Sequence, residues 1–237
     1  LYVWPGDPSR LGFTAVIRGE SRPFSMNRDG TNKKDLTTGN GGFTYGYSAS
    51  PDGTRISYHK SYQVYLADAD GSNAQHIDTG APFHFGPLWS SDGNWIVFLA
   101  GKHGNSHPYV VRTDGTGLRK LADRGGYVGW PQVLDVPDFH SASSDTPCWS
   151  ADSRWVYCTA RAGEAVELLR ISIEGPVQQL THSKPGAEHY HPQGSSDGEW
   201  VLFGSTRDGA RALYVAGADG STIRPITQPT PGLAQMH

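Results

Sequence analysis

Two turn signatures that alternate along the chain, and a composition of 30 Gly, 16 Pro and 7 Trp in 237 residues, predict an all-β propeller of four-stranded antiparallel blades. Many short strands joined by turns suit that composition, and long helices do not. The first signature is a polar turn feeding a strand of bulky residues. It reads Ser50-Pro51-Asp52-Gly53 into Ile56-Ser57-Tyr58, Ser91-Asp92-Gly93-Asn94 into Trp95-Ile96-Val97-Phe98, Ala151-Asp152-Ser153-Arg154 into Trp155-Val156-Tyr157, and Ser196-Asp197-Gly198-Glu199 into Trp200-Val201-Leu202-Phe203. Asp-Gly pairs accept the positive φ of a tight antiparallel connection, so each is a hairpin.

The second signature is an extended segment, a turn ending in Gly and a further short strand. It recurs five times, at Asp29-Gly30, Asp70-Gly71, Asp114-Gly115, Glu174-Gly175 and Asp219-Gly220. In the first unit the opening hairpin is reduced to Gly6-Asp7-Pro8-Ser9-Arg10. Together the two signals define units of four strands, A to D, over about residues 1–42, 43–83, 84–143, 144–188 and 189–237 of one propeller domain. Either the ring closes at five blades or the sequence belongs to a larger, trimmed propeller. The start at Leu1 without Met favours a processed or trimmed chain.

Net charge of -3 and a pI near 6.4 give no global pull toward nucleic acid, and no apolar run is long enough for membrane insertion. The cysteines, Cys148 and Cys158, flank one hairpin out of register, which favours two free, half-buried thiols over a bridge.

Blade topology sorts the remaining residues. The A–B and C–D hairpins share one face; the B–C loops and D–A crossovers share the other. Nine of the ten histidines fall away from the Asp-Gly turns, with only His76 inside a D strand. His84 and His189 each precede a turn Asp by eight residues, so they hold the same place on two inner strands. His191 follows on one of them, and His-x-His on a strand puts both side chains on one face. His84, His140, His189 and His191 therefore converge on the channel mouth, where neutral imidazoles suit a borderline divalent ion. A metal-free polar site and unconnected structural histidines are the alternatives. Lys60, Lys102, Arg161, Lys184, Arg207 and Arg211 fall on the same face, and the turn aspartates on the opposite rim. A basic, histidine-lined mouth suits an anionic ligand. The long crossover between Leu121 and Thr146 brings Tyr127, Trp130 and Phe139 to cover that mouth, stack on a sugar, or merely pin the loop.

The pattern S-x-D-G-x-x-[IV]-x-F followed by D-G-[ST]-x-x-x-x-[LI]-T resembles the TolB-type, WD40-like propeller repeat over essentially the whole chain. That resemblance implies a periplasmic or extracellular setting. A narrower one, to oligogalacturonate lyases, implies a manganese-type ion on several His and one Gln, a His base and an Arg handling the uronate. It implies His84, His189, His191 and Gln235 as ligands, joined by His237 if the last segment forms an inner strand. His140 or His107 becomes the base, and Arg161, Arg207 or Arg211 the carboxylate clamp. Mn, Zn and Ca are not distinguished. The expected ligand is an acidic oligosaccharide or another anionic small molecule, with metal-assisted β-elimination as the activity. The alternative is a non-catalytic platform for a protein or glycan partner. No G-x-S-x-G, H-E-x-x-H or P-loop is present.

Overall fold

The computed structural model describes residues 2–37, 44–102, 105–121 and 146–228. Among them there is no helix, and hence none long and apolar enough to cross a membrane. The strands form five four-stranded antiparallel sheets, each in simple sequence order. Blade 1 holds β1 (Tyr2–Trp4), β2 (Asp7–Ile17), β3 (Glu20–Asn27) and β4 (Lys34–Asp35). Blade 2 holds β5 (Thr44–Ala49), β6 (Arg55–Lys60), β7 (Gln63–Asp68) and β8 (Gln75–Ile77). Blade 3 holds β9 (Phe83–Trp89), β10 (Trp95–Lys102), β11 (Asn105–Arg112) and β12 (Arg119–Lys120). Blade 4 holds β13 (Cys148–Trp149), β14 (Trp155–Ala162), β15 (Ala165–Ser172) and β16 (Val177–Gln179). Blade 5 holds β17 (His189–Gly194), β18 (Trp200–Ser205), β19 (Ala212–Gly217) and β20 (Arg224–Pro225). The fold is the expected all-β propeller architecture.

The chain divides into two compact units, residues Leu1–Gly101 with Tyr109–Arg119 and residues Lys102–Pro108 with Lys120–His237, the boundary passing through β11. In the first unit, Val64, Leu66, Ile77, Ile96, Phe98 and Val111 form one buried cluster and Trp4, Leu36, Ile56, Tyr58 and Ala67 another. In the second, Tyr157, Leu168, Leu180, Val201, Phe203 and Tyr214 do so. Alternation along the B and C strands supplies most of these residues, because period-two patterning sends successive side chains to opposite faces; Trp4 comes from an A strand, and Leu36, Ile77 and Leu180 lie in or just after D strands.

The first turn signature has a specific bonding reason. In blade 4, Ser150 Oγ donates to Asp152 Oδ1 at 2.6 Å, the Arg154 N–H donates to the same oxygen at 3.1 Å, and the Trp155 N–H returns to Ser150 Oγ at 2.9 Å. Ser50 with Asp52, Ser90 with Asp92 and Ser195 with Asp197 repeat the scheme. The serine two residues before the aspartate is as much part of the signature as the glycine after it. The C–D turns pair the aspartate with the Ser or Thr two residues after it: the Thr31, Ser72 and Thr116 hydroxyls donate to Asp29, Asp70 and Asp114, and the Thr31, Ser72, Thr116 and Ser221 amides donate to Asp29, Asp70, Asp114 and Asp219. These hydrogen bonds hold the four carboxyls below the ordinary range, Asp70 at about 2. Cys148 and Cys158 are free thiols, as expected, but buried rather than half-buried.

Candidate functional site

Each unit carries one of the two register-matched histidines. His84 pairs with Ala100 and His189 with Ser205, five residues before Trp89 and Gly194 in each case, so the equivalence read from the sequence holds within the blades. Both side chains are fully buried. Their surroundings differ.

In the first unit, the Val64 N–H donates to His84 Nδ1 at 3.3 Å, while Nε2 lies 2.6 Å from Thr79 Oγ1. An accepting Nδ1 puts the ring proton on Nε2, which donates to the threonine. Both nitrogens are thus used inside the fold, and no lone pair is left for a metal. Burial and the neighbouring His76 pull the His84 pKa down to about 4 from 6.5. A depressed base stabilises the fold fully above about pH 6.5, and that contribution is lost as pH falls toward 4, because the unfolded chain binds a proton the folded one refuses. The loss is on the order of 3 kcal/mol at pH 4. Denaturant midpoints measured across that interval should fall more steeply for the natural protein than for His84→Gln; parallel slopes would remove the assignment.

In the second unit, His189 faces Glu167, itself buried on β15 among Val166, Leu168 and Leu169. His189 Nε2 lies 3.2 Å from Glu167 Oε2 and 2.9 Å from Ser183 Oγ. Thr181 Oγ1 donates to Glu167 Oε2 at 2.5 Å, and the Ser183 N–H donates to Oε1 at 2.6 Å. Burial pushes the Glu167 carboxyl up, but these bonds from His189, Thr181 and Ser183 outweigh it and hold the pKa below its ordinary value. A carboxylate only accepts, so Nε2 bears the proton and Nδ1 is left as a buried ring nitrogen with no hydrogen-bond partner among the described residues. Because serine and carboxylate share one nitrogen, the group is not a nucleophile–base–acid relay, which needs them on opposite ring nitrogens.

His191 departs from the expected His-x-His face. Register shifts between Tyr190 and Gln193, and His191 adopts φ of 52°. That irregularity turns His191 to solvent while His189 stays buried, so simple alternation fails at this bulge.

Arg161 is the penultimate residue of β14, and Arg207 and Arg211 lie in the connection from β18 to β19. Glu188 sits close enough to Arg211 and Arg161 for both to pull its pKa down, although burial raises it overall. Arg207 reaches over the Tyr214 ring at 5.8 Å, and its Nη1 is buried with no hydrogen-bond partner among the described residues. Tyr214 in turn donates to Asp208 at 2.7 Å. The expected separation of charge is therefore incomplete, since Glu164, Glu188 and Asp208 share these connections with the arginines. His107 lies on β11. His140, Gln235, His237 and the aromatic crossover with Tyr127, Trp130 and Phe139 lie outside the described residues. Among those described, no group of three or more His, Cys, Asp or Glu side chains is arranged to hold a metal. Sequence reasoning missed Glu167 and Ser183; the signal for Glu167 was a single acid inside the apolar run Ala165-Val166-Glu167-Leu168-Leu169.

No protein-family model matches the chain. It is 25% identical over 202 residues to the uncharacterized peptidase YuxL of Bacillus subtilis, a match covering 65% of this chain and 28% of that protein. Among solved structures, a putative TolB from Agrobacterium tumefaciens superposes with a TM-score of 0.67 at 17% identity, over 94% of this chain and 78% of that one. An oligogalacturonate lyase in complex with manganese gives 0.70 at 16% identity, over 92% and 62%. By fold the chain is a TolB-like β-propeller.

Proposed function

We propose that the second unit binds an anionic ligand, an acidic oligosaccharide first among them, at the end of blades 4 and 5 that carries His189, Arg161, Arg207 and Arg211. The observation that carries this reading is His189, whose Nε2–H is fixed by a buried carboxylate so that Nδ1 is left over. A buried ring nitrogen held in one tautomer is how a protein presents a lone pair to a ligand. Arg207, with an unmatched buried Nη1, supplies the charge that a uronate carboxylate would meet.

Metal-assisted β-elimination is the activity the likeness to the lyase suggests. His189 fits a divalent cation, because the Glu167–His189 pair has the carboxylate–imidazole arrangement that supports metal ligation. His84 does not fit, since both of its nitrogens are engaged. The proposed ligand set is therefore His189 with Gln235 and His237, and a bound manganese, zinc or calcium ion would neutralise the uronate and acidify its C5 proton. The family resemblance favours a periplasmic or extracellular setting for this chemistry.

Titration calorimetry with oligogalacturonate is the test. Binding should weaken as salt rises and fall about tenfold in Arg207→Ala, the loss of one charge-assisted bond. Affinity insensitive to both would sink the proposal. A second reading follows from the coverage of YuxL, 28% of that protein: the propeller is a non-catalytic recognition module. It predicts binding without unsaturated product, with or without added manganese.

A further inference from the structure

The crossover from blade 4 to blade 5 is clamped on both sides, and the clamps decide where Glu188 sits. On the blade 4 side, the Gly186 N–H donates to Glu164 O at 2.8 Å and the Val166 N–H donates to Ala187 O at 2.9 Å. Val166 is the register partner of Arg161. On the blade 5 side, the Glu188 N–H donates to Thr206 Oγ1 at 2.9 Å, and the Thr206 N–H donates to Glu188 O at 3.0 Å. Thr206 opens the connection that carries Arg207 and Arg211. These bonds hold Glu188 between Arg161 of one blade and the arginine-bearing connection of the next, all within the second unit.

The carboxyl placed there is half-buried and makes no hydrogen bond with a described residue. Arg211 and Arg161 act on it through charge and not by donating to it. Burial raises its pKa all the same, so ionising it costs more here than two guanidinium groups return. Glu167, which meets the same crossover at Thr181 and Ser183, is the opposite case, held ionised by its donors. The other charged or titratable groups on the described elements packed here are Glu164 on the blade 4 hairpin, Arg207 and Asp208 on the blade 5 connection, and His182, Lys184 and His189 on the crossover. His189 turns to Glu167, and Asp208 accepts from Tyr214. An acid with no bond of its own beside two cations is a group that changes state when a further anion arrives. Negative charge next to it favours the protonated form, and that form is a donor.

The geometry points to Glu188 as the residue that couples anion capture at this end to proton uptake. A ligand carboxylate drawn to Arg161 and Arg211 is repelled by ionised Glu188 and accepts a hydrogen bond from it once Glu188 is protonated. Solvent supplies the one proton, and no bond of the ligand breaks. The inference rests on the anionic-ligand reading and adds its regulation: capture strengthens as pH falls, over a range in which uronate carboxyls stay ionised.

Titration calorimetry with oligogalacturonate at about pH 7.5 and about pH 5.5, in two buffers of different ionisation enthalpy, is the test. The natural protein should bind about tenfold more tightly at the lower pH and take up protons on binding at the higher one. Glu188→Gln keeps the shape and donates without a proton. It should bind about tenfold more tightly than the natural protein at the higher pH and take up fewer protons there. Glu164→Gln removes an exposed acid from the adjoining hairpin and should leave proton uptake unchanged, which separates coupling from mere loss of charge. Equal affinity and uptake in Glu188→Gln and the natural protein, with binding still sensitive to Arg207→Ala, would overturn the coupling and leave the ligand reading standing. Weaker binding by Glu188→Gln would overturn it too, as the mark of a carboxylate that only positions its neighbours. No binding by either protein at either pH would overturn both.

Discussion

Glu167→Ala should destabilise the protein by about 3–5 kcal/mol, the cost of withdrawing one acceptor from several inward-facing donors at about 1–3 kcal/mol each. The carboxylate accepts from Thr181 Oγ1, the Ser183 N–H and His189 Nε2, and alanine would leave the first two without that acceptor and the histidine with Ser183 Oγ alone. Glu167→Gln keeps a carbonyl oxygen of the same reach, and should cost about 1–3 kcal/mol. If the histidine is the main dependant, the double variant Glu167→Ala with His189→Phe should be milder than the sum of its parts. Chemical denaturation of the natural protein, the single variants Glu167→Ala, Glu167→Gln and His189→Phe, and the double variant decides this. Equal midpoints for Glu167→Ala and the natural chain would mean that the cluster contributes nothing to stability.

Gly71→Ala should cost about 4 kcal/mol or more, among the largest effects a single substitution has. Gly71 has φ of 85°, and a Cβ there would lie 1.9 Å from Leu36 O, a backbone atom that cannot swing aside. Gly30 has the same φ of 85° in the corresponding turn of blade 1, with nothing within 4 Å of its added atom. Gly30→Ala should thus show the conformational cost alone, about 1–2 kcal/mol. The difference between the two variants isolates the close approach of blades 1 and 2. Thermal unfolding curves that shift equally would show that the approach is looser than 1.9 Å suggests.

The fold was legible because its information is local. A Ser-x-Asp-Gly stretch closes its own hydrogen bonds within six residues, as Ser50 to Arg55 does, so the hairpin can be read without knowing what it packs against. Blade register was legible for the same reason, and His84 and His189 do match. What could not be read depends on neighbours. His191 leaves the face of His189 because pairing slips between Tyr190 and Gln193, and no residue type in His189-Tyr190-His191 announces that slip. The difference between the two buried histidines is set by Thr79 in one crossover and by Ser183 with Glu167 in the other, contacts that bring separate strands together. Three arginines reach from one blade to a C–D turn carbonyl of the next, Arg10 to Ala69 O, Arg55 to Thr113 O and Arg170 to Ala218 O; they come from B strands at Arg10 and Arg55 but a C strand at Arg170, so no sequence period exposes them.

That last arrangement gives the repeat a direction. At each of these three joints the donor belongs to the earlier blade and the acceptor is a main-chain carbonyl in the later one, which any amino acid can supply. Duplicating a unit would therefore create a joint already half made, since the new turn needs no particular side chain to receive an arginine from the blade before it. Growth of such a protein by copying asks for new chemistry on one side of each seam only, and the number of repeats can drift while the seam stays the same.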